Sequence, residues 1–249
     1  MSAEGASGAT GAGAVEAPRF EDPRGEPQRE KPSRIQRTIA ARMVEVKNTV
    51  PEFTVADEID MEPVTKIRAA WDRDDPDRPS VNDFIVKAAA LTLKEHPTLN
   101  GSWTDEGIER YPRVNVGIAV AAPGLLLVPT IFDADRLDLP AFGRESRRLA
   151  TAVRERTIGP AELSGATFTV SNLGMFGIAD FDAIIAAPQA AILAVAAARE
   201  VPVVKDGALV PGVRMSARLA SDHRLVYGAD AAAFMRDLRT RLESPADWV

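Results

Sequence analysis

From Ser33 to the C-terminus the apolar residues of this chain switch repeatedly between helical spacing and strict alternation. A chain that mixes the two periods must layer helices against a sheet. Ile35, Ile39, Met43 and Val46 recur at helical spacing behind Ser33 and Gln36, a pair that matches a capping box. Pro51 stops that pattern, and Phe53, Val55, Asp57 and Ile59 then alternate as in a strand, with Asp57 the odd member. A helix is expected across Pro63 to Trp71, and another where Ser80 and Asp83 open SVNDFIVKAAALTLKEH, ended by Pro97. VNVGIAV alternates, LLLVPTIF is a continuous apolar run of the kind buried on both faces of a sheet, and PAFGRESRRLATAVRERT reads as a surface helix.

The second half continues the mixture. ATFTVSN alternates and runs into the glycine-bearing LGMFGIADF, which suggests a tight loop. QAAILAVAAA has the length of a helix, but a Val-rich segment and an Asp206-Gly207 turn follow it, which favours a buried strand leading to a hairpin. VRMSARLAS alternates up to Asp222 and His223, and ADAAAFMRDLRTRLES closes as a helix. Strands and helices mix without a strict βαβ rhythm, so the fold class expected is α/β with a mixed sheet. Residues 1–32 are mainly Ala, Gly, Ser, Glu and Pro and cannot offset chain entropy by burial. They read as a flexible tail or linker, with one domain over residues 33–249.

Composition narrows the chemistry. The chain has no cysteine, which excludes disulfides, thiolate metal sites and a cysteine nucleophile and makes a cytoplasmic location the default expectation. Its two histidines, His96 and His223, are too few for a histidine-rich metal site, so no metal is expected. A formal charge of −6 with interspersed signs offers no basic footprint for nucleic acid, and no apolar run is long enough to span a bilayer.

His223 lies in SDHRLVYGAD, between an alternating strand and a helix, where rigid elements can present it to a cleft. As an imidazole it can serve as a general base near neutral pH, or it can simply be a satisfied histidine at a strand end. His96, at a helix end before Pro97, is explained as a C-terminal charge partner. Ser171, where a strand meets a glycine loop, can donate to a developing oxyanion or satisfy turn backbone. NLGMFG is neither a P-loop nor a dinucleotide fingerprint, and no G-x-S-x-G elbow occurs.

The segments SRIQRTIAARMVEVKNTVPEFT, LNGSW, GIAVAAPGLLLVPTIFDAD, LSGATFTVSNLGMFGIADFDAII, PQAAILAV and DHRLVYGAD stand in an order that resembles the catalytic core of the dihydrolipoamide acyltransferases of 2-oxoacid dehydrogenase complexes. The resemblance implies a CoA-dependent acyltransferase fold like that of chloramphenicol acetyltransferase, assembled as a homotrimer or a larger shell with sites between subunits. It implies His223 as catalytic base and Ser171 as oxyanion stabiliser, drawn from different subunits. Asn172, Leu173, Gly174 and Met175 would line the substrate channel. Coenzyme A would be a substrate, and thioester exchange would need no metal.

Two departures stand out. The family follows its histidine with Arg, two variable residues, Asp and Gly, whereas this chain reads His223, Arg224, Leu225, Val226, Tyr227 and Gly228. A neutral phenol cannot balance the guanidinium that the resemblance places at Arg42, so Asp222, Asp230 or another carboxylate substitutes, or the site is impaired. Secondly, residues 1–32 are too few and too polar for a lipoyl or subunit-binding module. The lipoyl group would then arrive on another protein. The alternatives are a catalytically impaired trimeric scaffold and transfer to an acyl carrier protein.

Overall fold

The computed structural model describes residues 24–25, 27–122 and 124–249. Most of the expected tail lies outside them, and residues 27–33 carry no helix or strand. Helix α1 spans Arg34–Thr49, and its capping box forms as read: the Gln36 N–H donates to Ser33 Oγ at 3.2 Å and the Ser33 N–H to Gln36 Oε1 at 2.7 Å. Its apolar stripe is largely uncovered within the chain, with Ile35 54% and Ile39 39% exposed, while Val46 is buried.

Strand β1, Glu52–Asp60, follows, and the odd Asp57 is explained by Arg239, whose Nη1 donates to Asp57 Oδ2 at 2.8 Å. Helices α2, Glu62–Ala70, and α3, Val81–Glu95, come next. Ser80 and Asp83 cap α3 reciprocally: Asp83 N–H donates to Ser80 Oγ and Ser80 N–H to Asp83 Oδ2. The sequence reading had no element at the hairpin of β2, Gly101–Thr104, and β3, Gly107–Arg110. Its strands are too short to show a period, and Trp103 and Ile108 pair across it while partly exposed.

The short strands β4, Val116–Ile118, β5, Val120–Ala122, β6, Leu125–Leu127, and β7, Thr130–Ile131, correct the reading of LLLVPTIF as one doubly buried strand. Gly124, at φ +77°, turns β6 back onto β5 as a separate ribbon, leaving Leu126 53% exposed. Pro129 has no N–H to give a ladder and contributes only its carbonyl, which accepts from the Ile118 N–H at 2.9 Å. The run is therefore split by backbone chemistry that its apolarity hides.

Helix α4, Leu139–Glu155, starts on an Asp138 cap and precedes β8, Phe168–Asn172. QAAILAVAAA is indeed a strand: β9, Ala191–Val195, is wholly buried. Then come β10, Arg199–Lys205, and the long β11, Ala208–Asp222, joined by the Asp206-Gly207 turn, and the closing helix α5, Gly228–Glu243. The seven-stranded sheet runs β1-β11-β9-β8-β4-β7, with β10 also on β11. Pairs β4/β8 and β8/β9 are parallel and the others antiparallel, a mixed sheet.

The main core joins the sheet to helices α2 to α5 around Phe84, Phe142, Phe168 and Phe234, all fully buried. Each such ring contributes about 1.5–3 kcal/mol relative to exposure. On the opposite sheet face, Ile192 and Ala220 alternate with core residues and pack under Val46 of α1 and Ile185. The sheet is thus clamped from both sides, so the loops leaving its two ends have rigid bases.

Candidate active site

His223 leaves the end of β11 in a turn that is over-determined. Its backbone N–H donates to the Pro51 carbonyl at 3.0 Å, fixing it beside the start of β1. The buried Asp222 carboxylate accepts from the Arg224 backbone N–H at 3.0 Å and from Arg224 Nη2 at 2.6 Å. This hydrogen bond holds the Arg224 guanidinium above its ordinary range, against partial burial, and the guanidinium also lies 5.4 Å over the Trp103 ring. Leu225 and Val226 are buried and both donate back to the Asp222 carbonyl, so the turn cannot swing.

The His223 imidazole is exposed, and among the described residues no side-chain hydrogen bond or ion pair holds it. What touches it is aromatic: Phe53 at 4.5 Å between ring centroids, tilted 43°, and Tyr227 edge-on at 5.9 Å and 66°. Phe53 is the residue that sequence reading missed as part of this site. Its inward position in an alternating strand reads as core, and only the pairing Phe53↔Ser221 shows that it abuts the histidine turn.

Arg42 and Asp230 do not meet at Tyr227. Arg42 Nη1 donates to Glu45 Oε2, one helical turn along α1, at 3.0 Å. Asp230 Oδ2 accepts the Tyr227 backbone N–H at 3.3 Å and so caps α5. Arg42 instead lines, with Asp222, Arg224 and Trp103, a cavity of about 200 Å³. The Arg42–Glu45 pair lies within α1, with both side chains largely exposed.

Ser171 sits near the end of β8, half-buried, paired with Ala194 of β9. The loop after it is tightly built. Asn172 Oδ1 accepts the Gly174 N–H at 2.7 Å while its Nδ2 donates to Asn82 Oδ1 at 2.8 Å, and the Leu173 N–H donates to the Val195 carbonyl. A Cβ on Gly174 would stand 2.8 Å from the Ala196 carbonyl oxygen, so only glycine fits. Met175 and Phe176 then project outward, 74% and 65% exposed. Arg218 grips Asp180 through Nε at 2.6 Å, holding that carboxyl below the usual range and fastening the far end of the loop to β11.

Within one chain these two halves do not meet. Ser171 is level with Ala194 on β9, whereas Ser221 is level with Ala191 and His223 lies two residues further toward the opposite sheet end. Two strand spacings of about 4.8 Å and five residues of about 3.3 Å separate them by roughly 19 Å. A larger cavity of about 580 Å³, beside Arg144, Arg147 and Arg148, contains neither.

Comparison with known proteins identifies the family. Residues 24–249 match the family model described as 2-oxoacid dehydrogenases acyltransferase (catalytic domain). The chain belongs to this family. It is 36% identical over 218 residues to the dihydrolipoyllysine-residue acetyltransferase component of the pyruvate dehydrogenase complex of Rhizobium meliloti (strain 1021), covering 85% of this chain and 49% of that protein. The chain thus spans about half the length of that relative. Among solved structures of the family, one reports the roles of a serine, a histidine 52 residues later and an asparagine four beyond in the catalytic mechanism of the Azotobacter vinelandii dihydrolipoamide acetyltransferase. It superposes with TM-score 0.86 at 31% identity, over 93% of this chain and 97% of that one. The cubic core of a pyruvate dehydrogenase multienzyme complex superposes with TM-score 0.85 at 32% identity, over 90% and 94%. Chloramphenicol acetyltransferase, at 12% identity and TM-score 0.51 over 81% and 94%, shares the fold, as the sequence resemblance implies.

Among the described residues no three His, Asp or Glu side chains converge as a metal site, and no helix is long and apolar enough to cross a membrane.

Proposed function

We propose that this domain transfers an acyl group between a lipoyl-type carrier thiol and coenzyme A, in a site that two copies of the chain build together. The observation that carries the reading is the rigid presentation of His223 and Ser171 at opposite ends of one sheet, roughly 19 Å apart. Neither half is complete alone, and the exposed Ile35, Ile39, Met175 and Phe176 leave apolar surface for further copies, as in a homotrimer. Ser171 and His223 repeat the 52-residue spacing of the serine and histidine named for the Azotobacter protein, with Tyr227 four residues on.

That last position is an asparagine there, an uncharged group, so a neutral Tyr227 is compatible with chemistry at the site. In the reaction His223 takes the proton of the attacking thiol, and the thiolate sulfur bonds to the thioester carbonyl carbon. The Ser171 hydroxyl donates to the resulting oxyanion. Collapse breaks the old C–S bond, and the departing thiolate recovers the proton from the imidazolium. Asn172, Leu173, Gly174 and Met175 form the wall along which a pantetheine or lipoyl arm would pass. Both thiols belong to substrates, so neither a cysteine nor a metal has a step to perform.

The test is complementation between copies. Acyl exchange between acetyl-CoA and dihydrolipoamide is measured for His223→Ala, Ser171→Ala and oligomers reassembled from an equal mixture of the two. Each variant alone is expected to be inactive and the mixture to regain about a quarter of wild-type turnover, the share of sites with both intact halves. An inactive wild type, or a mixture as dead as its parents, refutes the shared site. A lipoylated carrier domain and an acyl carrier protein, offered in turn, then identify the acceptor.

A further inference from the structure

We infer that Tyr227, together with Phe53, is a positioning residue: the two rings hold the imidazole of His223 in its working orientation by packing, in place of a hydrogen-bonded partner. His223 is exposed and, among the described residues, its ring nitrogens meet no side-chain donor or acceptor, so no second group of this chain fixes its rotation about the Cβ–Cγ bond. A histidine held by its backbone alone keeps several side-chain rotamers open. Here the rings limit them from two sides, Phe53 at 4.5 Å and Tyr227 edge-on at 5.9 Å, both inside the range where aromatic pairs attract.

Both rings are themselves anchored. Phe53 packs partly buried against the main core and is paired through its backbone with Ser221, two residues before the histidine. Tyr227 is 60% exposed, but its backbone is fixed, because the N–H is accepted by Asp230 and the carbonyl accepts from the Ala231 N–H at 3.0 Å as α5 begins. The phenol oxygen has no partner among the described residues, and Arg42 pairs with Glu45. What Tyr227 offers the imidazole of its own chain is therefore its ring, packed edge-on.

The kinetic part of this inference rests on His223 being the base; the contact itself does not. The assembled protein is labelled at the histidine ring carbons, which gives two sets of imidazole signals, with His96 as internal control. Tyr227→Ala should move the His223 ring-proton resonances out of the ring-current field and leave those of His96 in place. The same variant should lower kcat about fivefold, the equivalent of one aromatic contact, with KM for both thiols unchanged. Tyr227→Phe should restore both the shifts and kcat, and Phe53→Leu, which keeps apolar volume, should displace the His223 signals again.

His223 resonances that stay put in both Tyr227→Ala and Phe53→Leu overturn the inference. A Tyr227→Phe variant as slow as Tyr227→Ala overturns it too, because the hydroxyl would then be the active part. So does a change confined to KM, which would make Tyr227 a substrate contact. Normal ring-current shifts in a protein with no acyl exchange would count against the transfer reaction and leave the positioning contact standing.

Discussion

His96 and His223 are the only two imidazoles in the chain, and the fold treats them oppositely. His96 closes α3 with its Nε2 2.8 Å from Asp237, its ring edge-on to Phe234 at 5.7 Å and its backbone N–H donating to the Leu93 carbonyl. Its Nε2 is tied to a carboxylate, and the side chain is mostly out of reach. His223 has an equally fixed backbone, but among the described residues its nitrogens meet no side-chain partner and its ring is touched by the rings of Phe53 and Tyr227. A histidine tied to a carboxylate serves the fold; one whose backbone is fixed and whose nitrogens meet no side-chain partner among the described residues is the candidate for proton transfer.

The contrast can be broken at several points. His223→Ala should reduce acyl exchange by about 10²–10⁴-fold in a steady-state assay, the usual worth of a positioned base, while the thermal unfolding midpoint stays where it was. If turnover survives, the two histidines are not functionally different. Ser171→Ala should cost about 10²–10³-fold in kcat, as loss of one oxyanion donor does, with thiol affinity measured by KM little altered.

His96→Ala should do the reverse. Turnover per folded oligomer is expected to hold, while stability falls by about 1–3 kcal/mol through the lost Asp237 hydrogen bond and the lost Phe234 contact, Asp237 keeping only Arg236 as partner, seen as a lower unfolding midpoint. The smallest effect concerns acid. Asp237 is held below its ordinary range first by the hydrogen bond from Arg236 and then, against burial, by His96. Its contribution is complete above the unfolded carboxyl pKa, about 4, and is lost as pH falls through the lower folded value. Asp237→Asn should therefore flatten the decline of the unfolding midpoint below about pH 4; an unchanged acid limb would show that this pair carries no pH-dependent stability.

Much of the fold was legible because its signals are local. Capping boxes at Ser33 and Ser80 involve residues three apart, and the strands at 53–59 and 213–219 alternate because one face is more buried than the other, whereas Phe168, Thr169 and Val170 are all buried. The reading failed where a nonlocal or backbone property decided: Pro129 and Gly124 divide an apolar run, and the hairpin of β2 and β3 is too short to show a period. At the candidate site, Ser171 and His223 could be named from their motifs, but Phe53 could not. Its role depends on a strand pairing 168 residues distant in sequence.

By itself, the sequence determined the α/β class, the family resemblance, the absence of cysteine chemistry and the reduction of two histidines to one candidate, because residue types and short-range spacings carry those facts. Only the tertiary structure decided that Arg42 pairs with Glu45 along α1 and that Asp230 caps α5. It alone decided that Phe53 and Tyr227 flank the imidazole, and that Ser171 and His223 stand at opposite ends of the sheet. Strand order and register fix which distant residues become neighbours, and no local pattern encodes them.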